Sequence, residues 1–399
     1  MQINKPHLFI ELNDLKYIFL AVKYNEDFNF EILSTLIFES EGIKDGKIID
    51  AEIVIKNIKK NLNIIEKSIG FTFKEATIIS TQISLDCRNV SGYIKLSGAQ
   101  IQEEDITYII NNIKNKITET EKNKTLIHLF NTNFSLDKLD LKNLPIGLHG
   151  QFYSHHLTFF LLPEIEIKNL KLVFKRCDLN IKRIVHKNFV NGINLINNYK
   201  NEILFASIKL GKNSSNISIF KNDSFVYSQN FDFGTNIIVK DLSKICSLTS
   251  ETVNNIIADL CFDDIKKNNS NEYLDKKYFD EVYRKISLDH IHNIAEARIE
   301  EIINVIFLKN INIKYFINKI KTMHISIVDR SFEKNFKITF KKQLKDIYYV
   351  CIEELNNDED LKSSLTTAEL IGKGWSKEAI PIIQTKESII SRIFSRFFA

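Results

Sequence analysis

The chain has 399 residues, of which 44% are hydrophobic and 26% charged, and its net charge at pH 7 is +4. These values indicate a globular protein of two or more domains and exclude both a disordered chain and a global field that would attract nucleic acid. Five scattered cysteines, no N-terminal signal pattern and no apolar run long enough to span a bilayer predict a cytoplasmic protein without a transmembrane helix.

The first 165 residues alternate between strand and helix patterns. Alternating apolar residues predict three strands in hairpin succession between His7 and Phe38. A helical repeat follows between Asp50, which suits an N-cap, and Gly70, which suits a C-terminal stop. One further strand leads into residues 88–165, for which the pattern predicts a small α+β insert of one strand, one helix and two more strands.

The second half repeats the opening of the first. After a helix, a strand and a helix, the stretch NEILFASIKLGKNSSNISIFKNDSFVYSQNFDF again predicts a three-strand meander. Helices are expected between residues 237 and 322, followed by the strand HISIVD and a final strand and helix. Two meander-led halves around a cleft are the plan of the actin, sugar-kinase and Hsp70 fold. We therefore expect that two-lobed α/β fold, with the small insert in its first half.

The end of the chain, KESIISRIFSRFFA, forms an amphipathic pattern after a polar stretch. On a helical wheel its apolar residues take one half, and its serines and arginines take the other. Taken alone, this stretch supports two interpretations equally: a helix docked on the protein's own core, or an in-plane membrane anchor. The residues that would contact the membrane are Lys386, Ile389, Ile390, Arg392, Ile393, Phe394, Arg396, Phe397 and Phe398.

Four stretches, in order along the chain, carry a resemblance to the FtsA family, the bacterial cell-division relatives of actin. They are GIKDGKIIDAEIVIKNIKKNLN, NLPIGLHG, FDFGTNIIVKDLSKICSLTSETVNNI and HNIAEARIEEIINVI. The insert also stands where FtsA carries its small subdomain. PilM, a pilus-assembly scaffold, shares this arrangement but lacks an amphipathic tail, so the tail favours FtsA.

The resemblance implies a division of the chain into subdomains. The first actin-like subdomain is assigned to residues 1–87 and 166–200, with the insert at 88–165. The second is assigned to residues 201–240 and 323–375, with a helical partner-binding subdomain at 241–322. A linker at 376–385 precedes the membrane-targeting helix at 386–399.

ATP is the cofactor that the family implies, but its phosphate-binding motifs are degraded in this sequence. The first loop, D-I-G-T-S-K in the family, is matched by Glu11 to Lys16 without its glycine, and Asp14 would place a carboxylate beside phosphate. The second loop, D-I-G-G-G-T-x-D, is matched by Lys209 to Asn216, where both aspartates are replaced. We therefore expect no ATP hydrolysis, no catalytic residue and no metal site.

Metal-free nucleotide binding stays open as an alternative, because lysine can bind phosphate as a point charge. Its candidate residues are Lys16, Lys209, Gly211, Lys212, Ser214, Asn216 and Gly234. The other interpretation is that these lysines are solvated surface residues.

The function implied by the resemblance is that of a non-enzymatic adaptor at the cytoplasmic face of the inner membrane, at the division site. Its partners would be the FtsZ C-terminal peptide, anionic lipids, other copies of itself in an actin-like polymer, and other divisome proteins, but not nucleic acid. Arg298 and Glu301 are the candidates for peptide binding, with Arg284 as a basic neighbour; alternatively, Arg298 and Glu301 form a surface pair with each other. The rival functions are an active ATPase or kinase of the same fold and a PilM-like pilus scaffold.

Overall fold

The structure is a computed structural model that describes residues 5–199, 203–259, 272–279, 283–344, 349–353 and 359–381. Two compact units divide the chain. The first comprises Met1–Ile203, Phe220–Ser228 and Asn356–Ala399, and the second comprises Leu204–Ile219 and Gln229–Leu355. Across the described ranges, no helix has the length and apolar character needed to cross a membrane.

The strands and helices are numbered in chain order. The strands are β1 (Pro6–Leu12), β2 (Lys16–Tyr24), β3 (Phe30–Glu39), β4 (Ile43–Lys44), β5 (Lys47–Ile48), β6 (Glu75–Ser80), β7 (Asp86–Lys95), β8 (Lys124–Leu136), β9 (Leu139–Leu141), β10 (Phe152–Pro163), β11 (Asn180–His186), β12 (Leu204–Leu210), β13 (Ser215–Lys221), β14 (Ser224–Phe231), β15 (Thr322–Ile327), β16 (Tyr349–Glu353) and β17 (Glu378–Pro381). The α-helices are α1 (Ala51–Ile69), α2 (Glu103–Thr120), α3 (Glu164–Arg176), α4 (Lys187–Asn198), α5 (Asn236–Cys246), α6 (Ser250–Asp259), α7 (Leu288–Ile303), α8 (Lys314–Ile317), α9 (Glu333–Gln343) and α10 (Glu359–Lys373).

Two five-stranded sheets share one topology. The first has the order β11-β6-β1-β2-β3, and the second has the order β14-β13-β12-β15-β16. In each, an opening meander is extended by parallel strands: β1 pairs with β6 and β6 with β11, as β12 pairs with β15 and β15 with β16. The duplication predicted from the two meanders is therefore present in the strand order.

Helix α1 shows how the sequence sets an element's limits. The side chain of Asp50 accepts a hydrogen bond from the backbone N–H of Ile53 at 3.0 Å, and Gly70 ends the helix in the left-handed conformation with φ 71°. Both residues act as the sequence predicted. The apolar face of the helix, which includes Val54 and Ile58, is buried.

The insert is a sheet in the order β17-β8-β10-β7 with α2 packed on one face. Ile106, Ile109, Ile110 and Ile113 of α2 are buried in the core on that face. They lie close to the sheet because Gly92 of β7 has no side chain: a Cβ there would stand 2.4 Å from a methyl carbon of Ile109 and 2.7 Å from one of Ile113. The geometry thus explains a glycine in the middle of a strand.

Helix α10 lies in the first unit, where it packs on α4, β1 and β2. This differs from the assignment of residues 323–375 to the second subdomain. The buried face of α10 is rich in small polar residues; Ser363, for instance, donates to the side chain of Asn191 on α4 at 3.3 Å. A pattern of serines and threonines does not indicate a buried face, and for this reason the sequence could not place the helix.

Part of the predicted linker at 376–385 is a strand, since β17 pairs antiparallel with β8. Glu378 fixes it, because this buried carboxylate forms an ion pair with Arg183 of β11 and a 2.7 Å hydrogen bond with Nδ1 of His128 on β8. Nε2 of His128 accepts the backbone N–H of His186 at 2.9 Å, which leaves the proton on Nδ1, facing Glu378. Although burial alone would raise the pKa of Glu378, Arg183 and His128 lower it to about 2.

The tip of the β13–β14 hairpin belongs to the first unit, where it enters an aromatic cluster. Phe225 stacks on Phe160 of β10 with ring centroids 4.0 Å apart and planes at 9°, and Phe220 stacks on Phe225 at 4.8 Å. The ring of Phe220 lies against Gly192 of α4, where a Cβ would stand 1.8 Å from a ring carbon. A residue larger than glycine at that position would require the ring to move.

Candidate functional site

The first candidate phosphate loop lies at the carboxyl edge of the first sheet. Leu12 at the end of β1 and His186 at the end of β11 both align with Ser80 at the end of β6. Ligands of open α/β sheets bind at this edge. Glu11, in the position of the family's first aspartate, lies one residue before it and is fully buried.

The carboxylate of Glu11 is held by the protein's own cation. Its Oε1 accepts a short hydrogen bond from the ammonium of Lys187 and a second, at 2.8 Å, from the side-chain amide of Asn13. The side chain of Lys187 is 21% exposed, whereas that of Glu11 is 0% exposed. Within the described residues, Oε2 of Glu11 has no hydrogen-bond partner.

The carboxylate of Asp14, which the sequence would place beside phosphate, is bonded to the hairpin of β4 and β5. Its two carboxylate oxygens accept the backbone N–H groups of Asp45 and Gly46, both at 2.8 Å. The turn itself is closed by Asn13, whose side-chain oxygen accepts the N–H of Lys16 at 2.8 Å. The first loop is therefore shaped by asparagine and by a carboxylate that holds the β4–β5 hairpin.

That hairpin packs closely on the loop after β6. Gly46 lies there with φ 70°, and a Cβ on it would stand 2.6 Å from the backbone nitrogen of Gln82. The hydroxyl of Thr81 in the same loop donates to the carbonyl of Leu12 at 2.9 Å. Backbone segments of the first unit thus lie close together around the first loop.

The second loop, between β12 and β13, lies in the second unit and is packed against the start of α5. The carbonyls of Gly211 and Lys212 accept the N–H groups of Thr235 and Asn236, both at 2.9 Å. Gly234 makes this approach possible, because a Cβ on it would stand 2.1 Å from the carbonyl oxygen of Gly211.

Among the candidate residues of the second loop, Asn216 and Ser214 take part in hydrogen bonds of the hairpin and its turn, and the two lysines have exposed side chains. Asn216 lies across the hairpin: its amide donates to the carbonyl of Gln229 at 3.0 Å and to the side chain of Asn230 at 2.8 Å. Ser214 accepts the N–H of Gly211 through its carbonyl at 3.0 Å, which closes the turn. The side chains of Lys209 and Lys212 are exposed.

The structure therefore brings Gly211, Lys212, Ser214 and Gly234 together at one turn of the second unit. Lys16 lies in the first unit, where it is half-buried at the start of β2. The sequence missed Lys187, because no local motif connects a lysine after β11 with a carboxylate in β1.

The three candidates for peptide binding gather around α5. Arg298 on α7 pairs with Asp241 on α5 and, at 2.7 Å, with Glu301 one turn along its own helix. Arg284 donates to the carbonyl of Ser247, the residue that ends α5, at 2.7 Å. Arg298 and Glu301 thus form the pair with each other that was the alternative interpretation of the sequence. Asp241 is an additional partner of Arg298 that the sequence did not indicate.

Two further expectations from the sequence concern the membrane segment and a metal site. The nine proposed membrane residues between Lys386 and Phe398 lie outside the described residues. Where the chain is described, no group of three or more His, Cys, Asp or Glu side chains is placed to hold a metal ion.

Comparison with known proteins finds one match that is confined to the insert and others that extend over more than half of the chain. The family model described as "SHS2 domain inserted in FTSA" matches residues 83–156. The cell division protein FtsA of Buchnera aphidicola subsp. Acyrthosiphon pisum (strain APS) is 21% identical over 248 residues, covering 62% of this chain and 59% of that protein. FtsA of Bacillus subtilis (strain 168) is 21% identical over 279 residues, covering 67% of this chain and 61% of that protein. The chain therefore spans about six-tenths of the length of these relatives.

Among solved structures, the PilM-PilN type IV pilus biogenesis complex contains a chain that is similar with a TM-score of 0.55 and 7% identity, covering 93% of this chain and 99% of that chain. At this identity the likeness concerns the fold alone. The actin-like fold with an inserted α+β subdomain, which the sequence predicted, is confirmed.

Proposed function

Because the chain is a relative of the FtsA family, as its sequence predicted, we propose that it is a cell-division adaptor. It would tether FtsZ polymers to the cytoplasmic face of the bacterial inner membrane at the division site and help to recruit other divisome proteins. The observation that carries this proposal is the insert, which matches the domain model named for FtsA and lies between β6 and β11 of the first sheet.

The two phosphate loops support a role without ATP hydrolysis. In the first loop, Glu11 stands where the family has an aspartate, and its carboxylate is paired with Lys187 of α4. The carboxylate of Asp14 is bonded to the β4–β5 hairpin. In the second, lysine and asparagine replace the aspartates, and the asparagine side chain is bonded to β14. In the first loop both carboxylates are therefore bonded within the protein, and in the second no carboxylate stands at the family's positions for holding a metal ion and orienting water.

The proposed docking surface for the FtsZ C-terminal peptide is formed by α5 and α7 of the second unit. Arg284 is an exposed cation beside the end of α5, while Arg298 is paired with both Glu301 and Asp241. Because a short segment that orders on binding loses conformational entropy, we expect modest affinity at each site. An actin-like polymer of this protein would compensate through many simultaneous contacts.

The proposed membrane contact is the amphipathic segment 386–399. It begins five residues after Pro381, the last residue of β17. Each apolar side chain would contribute up to about 1.5–3 kcal/mol if fully buried, and less at an interface. Each basic residue would add about 1 kcal/mol near anionic lipid.

Reconstitution tests the whole proposal. Labelled FtsZ polymers are mixed with anionic liposomes, with and without this protein, in buffer free of ATP. We expect the protein to bring FtsZ to the liposomes and to fail with FtsZ that lacks its C-terminal peptide. Recruitment that needs ATP hydrolysis, or no recruitment at all, would contradict the proposal.

A further inference from the structure

The actin-like fold implies Mg²⁺ beside ATP, and Glu11 occupies the position where a metal or its bound water would be met. Mg²⁺ requires near-octahedral oxygen ligands, and a carboxylate can supply one only if it is accessible to the ion. Here Oε1 of Glu11 is already bonded to the Lys187 ammonium and to the Asn13 amide. The other oxygen, Oε2, has no partner in the described residues but is buried with the rest of a side chain that is 0% exposed, and a divalent cation there would stand beside the ammonium of Lys187, so the residues present do not fit the metal.

We propose that Lys187 is a built-in counter-cation that takes the place of the metal ion at Glu11. The strand register accounts for its position. Glu11 and Val185 both align with Ile79 of the strand between them, and Lys187 follows two residues after Val185. The first residue of α4 therefore reaches across the end of β6 to the carboxylate.

The location of Lys187 within its own helix supports this role. It is the first residue of α4, and the first turn of that helix contains no acidic residue. A positive charge at a helix N-terminus is unfavourable, because the backbone N–H groups there already form the positive end of the helix dipole. Local structure therefore disfavours lysine at this position, whereas the carboxylate of Glu11 favours it.

Burial makes the ion pair indispensable for Glu11. A fully buried carboxylate without a partner is strongly destabilising. If Lys187 were removed, Glu11 would keep only the neutral amide of Asn13, since its Oε2 has no partner in the described residues. The ammonium of Lys187 thus balances the negative charge of Glu11, as a metal ion would beside a bound nucleotide. This part of the first unit therefore needs no divalent ion in order to fold.

The first test is a double-mutant cycle on the full chain, followed by thermal unfolding. Lys187→Met should lower the melting temperature by about 5 °C or more, because it leaves a buried charge unpaired. Adding Glu11→Gln to that variant should recover a large part of the loss. As a matched control, Lys168→Met removes the exposed partner of Glu164, 2.9 Å away, and should change the melting temperature by less than about 2 °C. Strictly additive effects of the two substitutions at the Glu11 pair would overturn the proposal.

The second test measures the metal directly, with Mn²⁺ as the probe and its free-ion spin-resonance signal as the readout. The parent protein and Glu11→Gln should bind the same amount of Mn²⁺, with and without ATP, and the parent should melt at the same temperature in EDTA and in Mg²⁺. Mn²⁺ bound by the parent and lost in Glu11→Gln would refute the assignment. Neither test depends on FtsZ or on liposomes, so their outcomes are independent of the proposed adaptor function.

Discussion

Glu378 and Arg183 form an ion pair in which the two side chains are only 5% and 8% exposed. They are 195 residues apart in the sequence. Through this pair the last described strand, β17, is attached to the middle of β11, while its pairing with β8 makes it part of the sheet of the insert. Strand β17, which precedes the proposed membrane segment in the sequence, is therefore anchored in the first unit.

Two truncations should separate the anchor from the tail. A chain that ends at Pro381 keeps Glu378 and should melt like the parent. A chain that ends at Ser376 loses β17 and leaves Arg183 without its buried partner, which should cost about 3–5 kcal/mol. Circular dichroism during heating measures both, with Glu378→Gln as a point variant that should also be destabilised. Equal melting of all four proteins would show that the ion pair does not hold the strand.

Buried histidines should make the fold sensitive to acid. Burial lowers the pKa of His186 to about 4 and that of His155 to about 3. Because both values lie below the unfolded value of about 6.5, the unfolded chain binds more protons, and the free energy of unfolding should decrease as pH falls from about 6.5 towards 4. The slope should be at most about 1.4 kcal/mol per pH unit for each histidine. Urea unfolding at several pH values measures it, and His155→Gln should flatten the curve; identical slopes for parent and variant would exclude His155 as a source.

Gly192 should not tolerate a methyl group. In a helix, alanine is intrinsically better than glycine by about 1 kcal/mol. Against the ring of Phe220, however, overpacking should reverse the sign and cost about 1–3 kcal/mol. Denaturant unfolding of Gly192→Ala measures the net effect. Combined with Phe220→Leu, which makes room, the loss should be smaller than the sum of the two single variants; a stabilised Gly192→Ala would mean that the ring moves freely.

Charge reversal at Arg284 should weaken binding of the FtsZ tail peptide about tenfold, or about 1.4 kcal/mol, if this exposed cation meets an acidic residue of the peptide. Fluorescence anisotropy with the labelled peptide measures the affinity of Arg284→Glu. Arg298 is a less direct probe, because Arg298→Glu would place a third carboxylate beside Asp241 and Glu301. Lys168→Glu, in the first unit, changes the net charge equally and should bind like the parent. Equal affinities of both variants would remove Arg284 from the interface.

A charge on the apolar face of the tail should release the protein from lipid. Phe394→Asp puts a carboxylate among the isoleucines and phenylalanines of the predicted helix, whereas Ser395→Asp adds the same charge to its polar face. In co-sedimentation with anionic liposomes, the first variant should stay in the supernatant and the second should be affected less. If Phe394→Asp melts well below the parent, the tail is packed on the protein's own core instead.

The sequence predicted those parts of the structure that depend on residues close to each other along the chain. The caps of α1 and both meanders follow from patterns a few residues long, and their strand order follows from the duplication. Glu378 could not be predicted, because its partners are 195 and 250 residues away and a lone glutamate in a polar stretch is typical of a linker. The same holds for Lys187, which lies 176 residues from Glu11. In the candidate site, the sequence showed which phosphate-loop residues had changed, and only the structure shows what bonds their replacements form.

The short strand β17 also has a consequence for how the insert behaves towards other molecules. β8 is 13 residues long and pairs with β10 on one side, while β17 and the three-residue β9 cover parts of its other side. β17 is only four residues long and ends in Pro381, which has no N–H to donate. Short, proline-ended strands are how natural sheets avoid pairing edge to edge with a neighbouring chain. A protein shortened before β17 would present the middle of β8 as a template for strand addition, and we expect it to aggregate where the intact chain stays dispersed.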